Sequence, residues 1–147
     1  MSRLVEQARR YLGVPFRHRG RSEHGLDCAG LGVRVYKDLG IDLPDVARYG
    51  REPHKNGLMD AMAVALGAPI WSGLQERVVP RELLQPGDVI VIRFDIQPHH
   101  IAFIGDDLIY GLSMIHCYAS PGINKVVEHG LDDSWQRRIC AVYRRPV

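Results

Sequence analysis

The stretch Leu26-Asp27-Cys28-Ala29-Gly30-Leu31 stands where a polar, glycine-bearing loop gives way to a helical pattern. Asp27 occupies the position of a helix N-cap residue, directly before Cys28. Gly40 ends the pattern, as glycine commonly does at a helix C-terminus. The apolar stripe between them, at helical spacing, consists of Leu31, Val35 and Leu39. The stretch therefore predicts a helix that begins at Cys28.

Two further helices are predicted on either side of this one. Residues Arg3 to Leu12 place their apolar side chains on one helical face, and Gly13 ends that helix. The polar residues 17–25 that follow predict a loop. Asn56 is an N-cap candidate for a third helix that runs to about Leu66.

The second half of the chain has the character of a β-sheet. The turn Pro86-Gly87-Asp88 precedes Val89–Phe94, a β-branched run typical of a buried strand. Asp132–Arg137 predicts a helical turn. Further short strands are predicted at His100–Ile104, Leu108–Tyr110, Met114–Tyr118, Lys125–Glu128 and Ile139–Arg144. Helices first and strands afterwards indicate an α+β fold with helices packed on an antiparallel sheet, in one domain spanning residues 1–147.

Composition narrows the class of protein. The 46% apolar and 24% charged residues are ordinary for a globular protein, and a net charge of +2 gives no reason to expect a nucleic-acid partner. No apolar run approaches the roughly 18 residues of a membrane span, and the N-terminus lacks the pattern of a secretory signal. Three cysteines are an odd number, which excludes a complete disulfide framework.

Cys28 is the candidate nucleophile because it lies at a predicted helix N-terminus. The unpaired N–H groups and partial positive charge there stabilise a thiolate and can cradle an oxyanion. A thiolate nucleophile also needs an imidazole base and a group that orients the imidazole; the candidates are His99, His100 and His116. From position alone, Cys28 is equally well explained as a small buried apolar residue.

The local sequence around these residues resembles the NlpC-type cell-wall cysteine peptidases, a papain-like family. The resemblance covers most of the chain, in the family's order, from Tyr11 to Tyr118. The matching segments are Gly13-Val14-Pro15-Phe16, Leu26–Leu31, Leu39–Pro44, Leu84–Val89, His100–Gly105 and Ile115-His116. Each segment is weak evidence by itself, and their combination is specific.

The resemblance implies a role for each matched residue. Cys28 would be the nucleophile, His100 the general base and His116 the residue that orients the imidazole. Asp88 would be structural, bracing the turn before its strand. Because neighbouring strand residues point to opposite faces, His99 would then face away from Cys28. The buried, inert thiols would be Cys117 and Cys140.

Two positions depart from the family pattern. Phe16 replaces a tyrosine, and Ala29 replaces a serine. Phe16, Asp27 and Ala29 would all lie near the substrate or the oxyanion, so the departures affect rate and substrate choice. Neither touches the Cys–His pair.

The resemblance further implies hydrolysis of peptidoglycan stem peptides at a D-γ-glutamyl–diamino acid bond, with no cofactor and no metal. Residues 49–53 resemble versions found in phage tails and gene-transfer particles, which favours a tail-associated enzyme that reaches the wall as part of a particle. Its partners would be other tail proteins, and it would occupy the virion tail or the host cytoplasm during assembly. The alternatives are a papain-like amidase or acyltransferase, a catalytically inactive assembly module, and a cytosolic toxin. A zinc site of Cys28, His100 and His116 ranks well behind these, because no zinc-ligand spacing supports it.

Overall fold

The structure is a computed structural model that describes residues 2–44, 58–73, 77–94 and 97–147. Its helices are α1 (Arg3–Arg9), α2 (Cys28–Asp38), α3 (Leu58–Leu66) and α4 (Asp133–Gln136). Its strands are β1 (Arg21–Ser22), β2 (Gly25–Leu26), β3 (Trp71–Ser72), β4 (Val89–Phe94), β5 (Gln97–Asp107), β6 (Gly111–Ser120), β7 (Ile123–Gly130) and β8 (Ile139–Tyr143). The predicted α+β fold is confirmed.

The main sheet has the strand order β3-β8-β4-β5-β6-β7, and each neighbouring pair is antiparallel. Strands β4 to β7 therefore form a meander of successive hairpins, and β8 returns to pair with the free side of β4. Strands β1 and β2 form a separate two-stranded hairpin just before α2.

Both faces of the main sheet are covered by apolar side chains. Helices α1, α2 and α3 pack on one face, where Ile101, Phe103, Ile115 and Cys117 belong to the larger core cluster. The opposite face carries a second cluster that includes Ala102, Ile104 and Met114. A strand buried on both faces has no polar face to display, which explains the unbroken apolar run at Val89–Ile92.

Strands β5 and β6 are paired along only part of their length. Their register runs from Asp107 opposite Gly111 at the turn to Phe103 opposite Ile115. His100 and His116 lie beyond that last pair, although β5 remains paired with β4 there and β6 with β7. The two hairpins therefore separate from each other where the candidate histidines lie.

The structure corrects two sequence predictions. Leu108–Tyr110 is a turn and not a strand, because the Asp107 carboxylate accepts hydrogen bonds from the N–H groups of Ile109 and Tyr110. Gly111 completes the turn with a φ of 79°, which favours glycine. The predicted loop at 17–25 includes β1 and the start of β2. Asn56, the predicted N-cap of α3, and residues 49–53 lie outside the described residues.

Asp88 has the predicted bracing position. Its carboxylate accepts a hydrogen bond from the N–H of Gln85 at 2.8 Å and pairs with two nitrogens of Arg144 at 2.7 and 2.9 Å. The Asp88 side chain is fully buried, so this bidentate pair fixes the turn before β4 to the end of β8.

Candidate active site

Helix α2 begins at Cys28, and its N-cap is Asp27 as predicted. One Asp27 oxygen accepts hydrogen bonds from the N–H of Gly30 at 2.7 Å and from Arg21 at 2.8 Å. The other accepts from the N–H of Arg19 at 3.0 Å. The buried carboxylate therefore ties the preceding loop to the first turn of the helix and fixes the backbone that carries Cys28.

The same loop packs against α2 more closely than side chains would permit. A Cβ atom on Gly30 would lie 2.0 Å from the carbonyl oxygen of Gly20. A Cβ atom on Gly20 would lie 2.4 Å from the carbonyl oxygen of Gly25. Both glycines are therefore required by close backbone approach.

The candidate nucleophile is half-buried, whereas the residues on either side of it are buried. Cys28 lies close to Cys117 on β6. Burial, and secondly the charge of a Cys28 thiolate, raise the pKa of the Cys117 thiol to about 12. The Cys117 Sγ also donates a hydrogen bond to the carbonyl of Leu26 at 3.0 Å. Burial raises the pKa of Cys140 to about 11. All three cysteines lie in the described residues, and none forms a disulfide.

The two positions that depart from the family pattern adjoin the segment that carries Cys28. Ala29 follows Cys28 directly, and Phe16 pairs with the strand just before it. Phe16 forms a parallel bridge with Leu26, and its N–H donates to the carbonyl of Asn124 on β7 at 2.8 Å. Its half-buried side chain packs against the larger core cluster. Ala29 is buried in that cluster, so its methyl group faces the core.

The structure brings two of the predicted histidines together. Nε2 of His100, on β5, lies 2.7 Å from Nδ1 of His116, on β6. The contact spans the gap where the two strands separate. His100 is 6% exposed and His116 is 0% exposed, so water does not compete for this hydrogen bond. The side chain of His99 lies outside the described part of the structure.

A third histidine, absent from the sequence predictions, extends this pair. Nε2 of His129, on β7, lies 2.8 Å from Nε2 of His116, and its Nδ1 lies 3.1 Å from the carbonyl oxygen of Gly130. Strand pairing places Met114 opposite His129, so His129 and His116 share a face of the sheet. Sequence alternation along β7 could have indicated the face, but only the register with β6 reveals the contact.

Two aromatic rings enclose the three imidazoles, which we call the histidine chain (His100, His116 and His129). Tyr118 stacks on His116 with ring centroids 5.2 Å apart. Trp135, on α4, meets the edge of His116 at 5.5 Å and lies over His129 at 5.2 Å. The rings thus restrict both solvent access and rotation of the imidazoles.

The middle histidine stays neutral in this environment. Burial lowers the pKa of His116 to about 2, and the neighbouring His100 and His129 contribute by disfavouring a further positive charge. A neutral imidazole has one donor and one acceptor nitrogen, so His116 can link a donor on one side to an acceptor on the other.

The arrangement has the components of an activated thiol. A half-buried cysteine lies at a helix N-terminus, and that helix packs on β5 and β6, which carry a hydrogen-bonded imidazole pair. In the described part of the chain, no group of three or more His, Cys, Asp or Glu side chains is arranged to hold a metal ion. No helix among the described residues is long and apolar enough to cross a bilayer.

Comparison with known proteins gives a consistent result. The family profile described as NlpC/P60 matches residues 13–144. A γ-D-glutamyl-L-lysine dipeptidyl-peptidase from Bacillus cereus is 30% identical over 129 residues, which cover 85% of this chain and 30% of that protein. The chain thus spans less than a third of that relative's length.

Solved structures share the fold. An NlpC/P60 family protein from Bacillus cereus superposes with a TM-score of 0.63 at 23% identity, covering 99% of this chain and 40% of that one. The NlpC/p60 domain of the peptidoglycan hydrolase SagA gives 0.59 at 17% identity, with 97% of each chain covered. RipD from Mycobacterium tuberculosis, described as a non-catalytic NlpC/p60 domain protein adapted to peptidoglycan binding, gives 0.51 at 17% identity, covering 97% of this chain and 94% of that one.

Proposed function

The chain belongs to the NlpC/P60 family, and from that premise we propose that it is a cysteine peptidase that hydrolyses peptidoglycan stem peptides. The observation that carries the proposal is the buried His100–His116 hydrogen bond on the strands that α2 packs against. A binding module has no need of a buried, hydrogen-bonded imidazole pair on the strands that pack against the helix carrying Cys28. Cys28 is the proposed nucleophile, His100 the base, and His116 the residue that orients it.

The proposed reaction proceeds through an acyl-enzyme. His100 takes the proton of the Cys28 thiol, and the thiolate forms a bond to the carbonyl carbon of the scissile amide. His100 then donates that proton to the amine nitrogen as the C–N bond breaks. A water molecule, deprotonated by His100, attacks the thioester, and the carboxylic acid leaves while the thiol is restored.

Charge on the oxyanion is stabilised by the first turn of α2. The N–H of Gly30 is bonded to Asp27, so the proposed oxyanion donors are the N–H groups that precede it in this turn. Asp27 thus supports the site indirectly, by holding the turn in place. The aromatic ring of Phe16 packs against the larger core cluster and lacks the hydroxyl group of the tyrosine in the family pattern.

The proposed scissile bond joins D-γ-glutamate to a diamino acid. The support is the Bacillus cereus relative, whose name specifies a γ-D-glutamyl-L-lysine bond. The tail-associated context expected from residues 49–53 remains a prediction. It is tested by searching purified virions for the protein by mass spectrometry, and absence from the virions would contradict it.

A second candidate is a module that binds peptidoglycan without cleaving it. Phe16 and Ala29 favour it, since both remove a hydroxyl group near Cys28, and RipD shows that a protein of this fold can be non-catalytic. This candidate predicts that the protein sediments with peptidoglycan and that Cys28→Ala leaves this binding unchanged while no fragments are released.

The deciding experiment is digestion of purified peptidoglycan, with the products identified by mass spectrometry. The wild-type protein is expected to release peptides that begin with the diamino acid and to leave stems ending in D-glutamate on the glycan, and Cys28→Ala is expected to release none. Cys140→Ala is the matched control, because it removes a buried thiol from β8 and should retain activity. Equal release by wild type and Cys28→Ala, or none by either, would contradict the peptidase assignment.

A further inference from the structure

We propose that His129 is a positioning residue that sets the protonated nitrogens of His116 and His100 through the hydrogen bond of its own ring to the carbonyl of Gly130. The inference rests on the proposed function in one respect, namely that His100 serves Cys28 as base. It adds a fourth side chain to Cys28, His100 and His116, and it states how that side chain acts on them.

The assignment starts from an atom whose role is fixed. A carbonyl oxygen only accepts hydrogen bonds, so Nδ1 of His129, 3.1 Å from the Gly130 oxygen, must carry the proton. In a neutral ring, Nε2 of His129 is then unprotonated and accepts. Its partner at 2.8 Å, Nε2 of His116, must therefore be the donor.

The same reasoning passes through His116 to His100. With Nε2 protonated, the neutral ring of His116 has an unprotonated Nδ1, which accepts from Nε2 of His100 at 2.7 Å. With its Nε2 protonated, neutral His100 has its lone pair on Nδ1. One backbone carbonyl thus determines, through three rings, which nitrogen of His100 takes the proton of a thiol.

The chain keeps this direction in both states of the reaction. When His100 becomes an imidazolium, its Nε2 still donates to His116, so no hydrogen bond has to reverse. In the reversed chain the proton on Nδ1 of His116 would face the proton on Nε2 of the imidazolium, so that arrangement is excluded while His100 is charged. Because the direction of these hydrogen bonds suits both neutral and charged His100, fewer groups have to reorient during proton transfer.

Without His129, the buried Nε2 of His116 would lack this acceptor. The tautomer of His116 with its proton on Nδ1 would then become competitive, and that proton would face Nε2 of His100. His100 would have to accept at Nε2 and carry its proton on Nδ1, where a base needs a lone pair. The expected defect is a wrong tautomer in a folded protein.

The test is histidine nitrogen NMR of the labelled full chain, which distinguishes Nδ1–H from Nε2–H tautomers. The wild type is expected to show Nε2–H for His100 and His116 and Nδ1–H for His129. His129→Phe should give a mixture at His116 and His100 and slow alkylation of Cys28 by iodoacetamide by about tenfold. His129→Gln, whose amide oxygen can replace the acceptor, should restore the tautomers and keep the rate within about threefold of wild type.

His24→Phe is the matched control, since His24 is 81% exposed and its loss should change neither tautomers nor rate. A wild-type spectrum with Nδ1–H at His100 or Nε2–H at His129 would overturn the proposal, even if His129→Phe failed to fold. So would a folded His129→Phe with unchanged tautomers. Neither readout involves peptidoglycan, so the expected spectra together with no peptidoglycan cleavage would refute the peptidase and leave the role of His129 intact.

Discussion

At the scale of single residues, the three thiols have very different environments. Cys28 is half-buried at a helix N-terminus, whereas Cys117 and Cys140 are buried and their pKa values are raised to about 12 and 11. Since only the thiolate is alkylated, we expect iodoacetamide at pH 7 to modify Cys28 alone in the folded protein. Intact-mass measurement should show one adduct on the wild type and none on Cys28→Ala.

That experiment has an internal control, because denaturation should expose all three thiols and yield three adducts. Rapid modification of Cys117 or Cys140 in the folded chain would contradict the burial argument. An unmodified Cys28 would contradict the activated thiol and favour the binding module.

His116 should make stability depend on pH. Its pKa is about 2 in the folded chain and about 6.5 when unfolded, so below pH 6.5 the unfolded chain binds a proton that the folded chain does not. The free energy of unfolding should therefore fall with decreasing pH, by about 2 kcal/mol between pH 7 and pH 5. Urea denaturation of the wild type and of His116→Gln at both pH values measures the contribution of His116 to this fall in stability.

His116→Gln is expected to be less stable at pH 7, because it changes a buried hydrogen-bonding residue, but it should lose about 2 kcal/mol less than the wild type on going to pH 5. Equal losses in the two proteins would mean that His116 is not the group responsible.

Sequence alone could identify the residues of the site only where a short motif marks them. Cys28, His100 and His116 were marked by the family resemblance, and the structure places His100 and His116 in contact. His129 carries no such mark, and the strand predicted there ended at Glu128. Its contact with His116 depends on the register of β6 and β7, which is a long-range property that local pattern does not encode.

At the scale of elements, the first turn of α2 depends on backbone contact. Gly30→Ala would place a methyl group 2.0 Å from the Gly20 carbonyl, so the loop or the helix must move. We expect a loss of about 2 kcal/mol in the free energy of unfolding, with slower alkylation of Cys28. Thermal or urea unfolding measures the first effect, and the iodoacetamide rate measures the second.

Gly32→Ala is the matched control, since it lies two residues further along the same helix and a Cβ atom there meets nothing within 4 Å. Because alanine favours helix more than glycine does, this variant should be more stable by about 0.5–1 kcal/mol. Destabilisation of both variants to the same degree would show that helix α2 tolerates no added methyl group, and the close approach to Gly20 would lose its special role.

Element prediction succeeded where composition and burial agree. The β-branched run at Val89–Phe94 is a strand, and Asp27 begins a helix, because in each case one local preference dominates. Leu108–Tyr110 was wrongly predicted to be a strand because its apolar residues lie exposed on a turn, where the Leu108 side chain is fully accessible. The hydrogen bonds of Asp107 to the backbone there outweigh strand propensity.

At the scale of the whole molecule, Asp88 and Arg144 join distant parts of the chain. Asp88→Asn would remove the charge of a buried group that accepts three hydrogen bonds. We expect the free energy of unfolding to fall by about 2 kcal/mol, with the alkylation rate of Cys28 unchanged, since the pair lies outside the site. Urea denaturation checks the first expectation.

Asp42→Asn, which changes an aspartate outside this network, should leave stability within about 0.5 kcal/mol of the wild type. An Asp88→Asn protein as stable as the wild type would show that the turn before β4 holds without this pair.

The architecture was predictable as a class because helices precede strands along the chain. The order β3-β8-β4-β5-β6-β7 was not, since β8 pairs with β4 across the whole meander and β3 is only two residues long. The separation of β5 from β6 beyond Phe103 and Ile115, which makes room for the histidine chain, likewise results from tertiary packing.

The meander of β4 to β7 also has a kinetic consequence. Hairpins between successive strands close short loops and form early, whereas the docking of α2 brings together segments far apart in the chain. We therefore expect a refolding chain to assemble the histidine chain before Cys28 arrives. During that interval the thiol would lack its proposed base, so we expect Cys28 to gain reactivity toward iodoacetamide only when the last long-range contacts form.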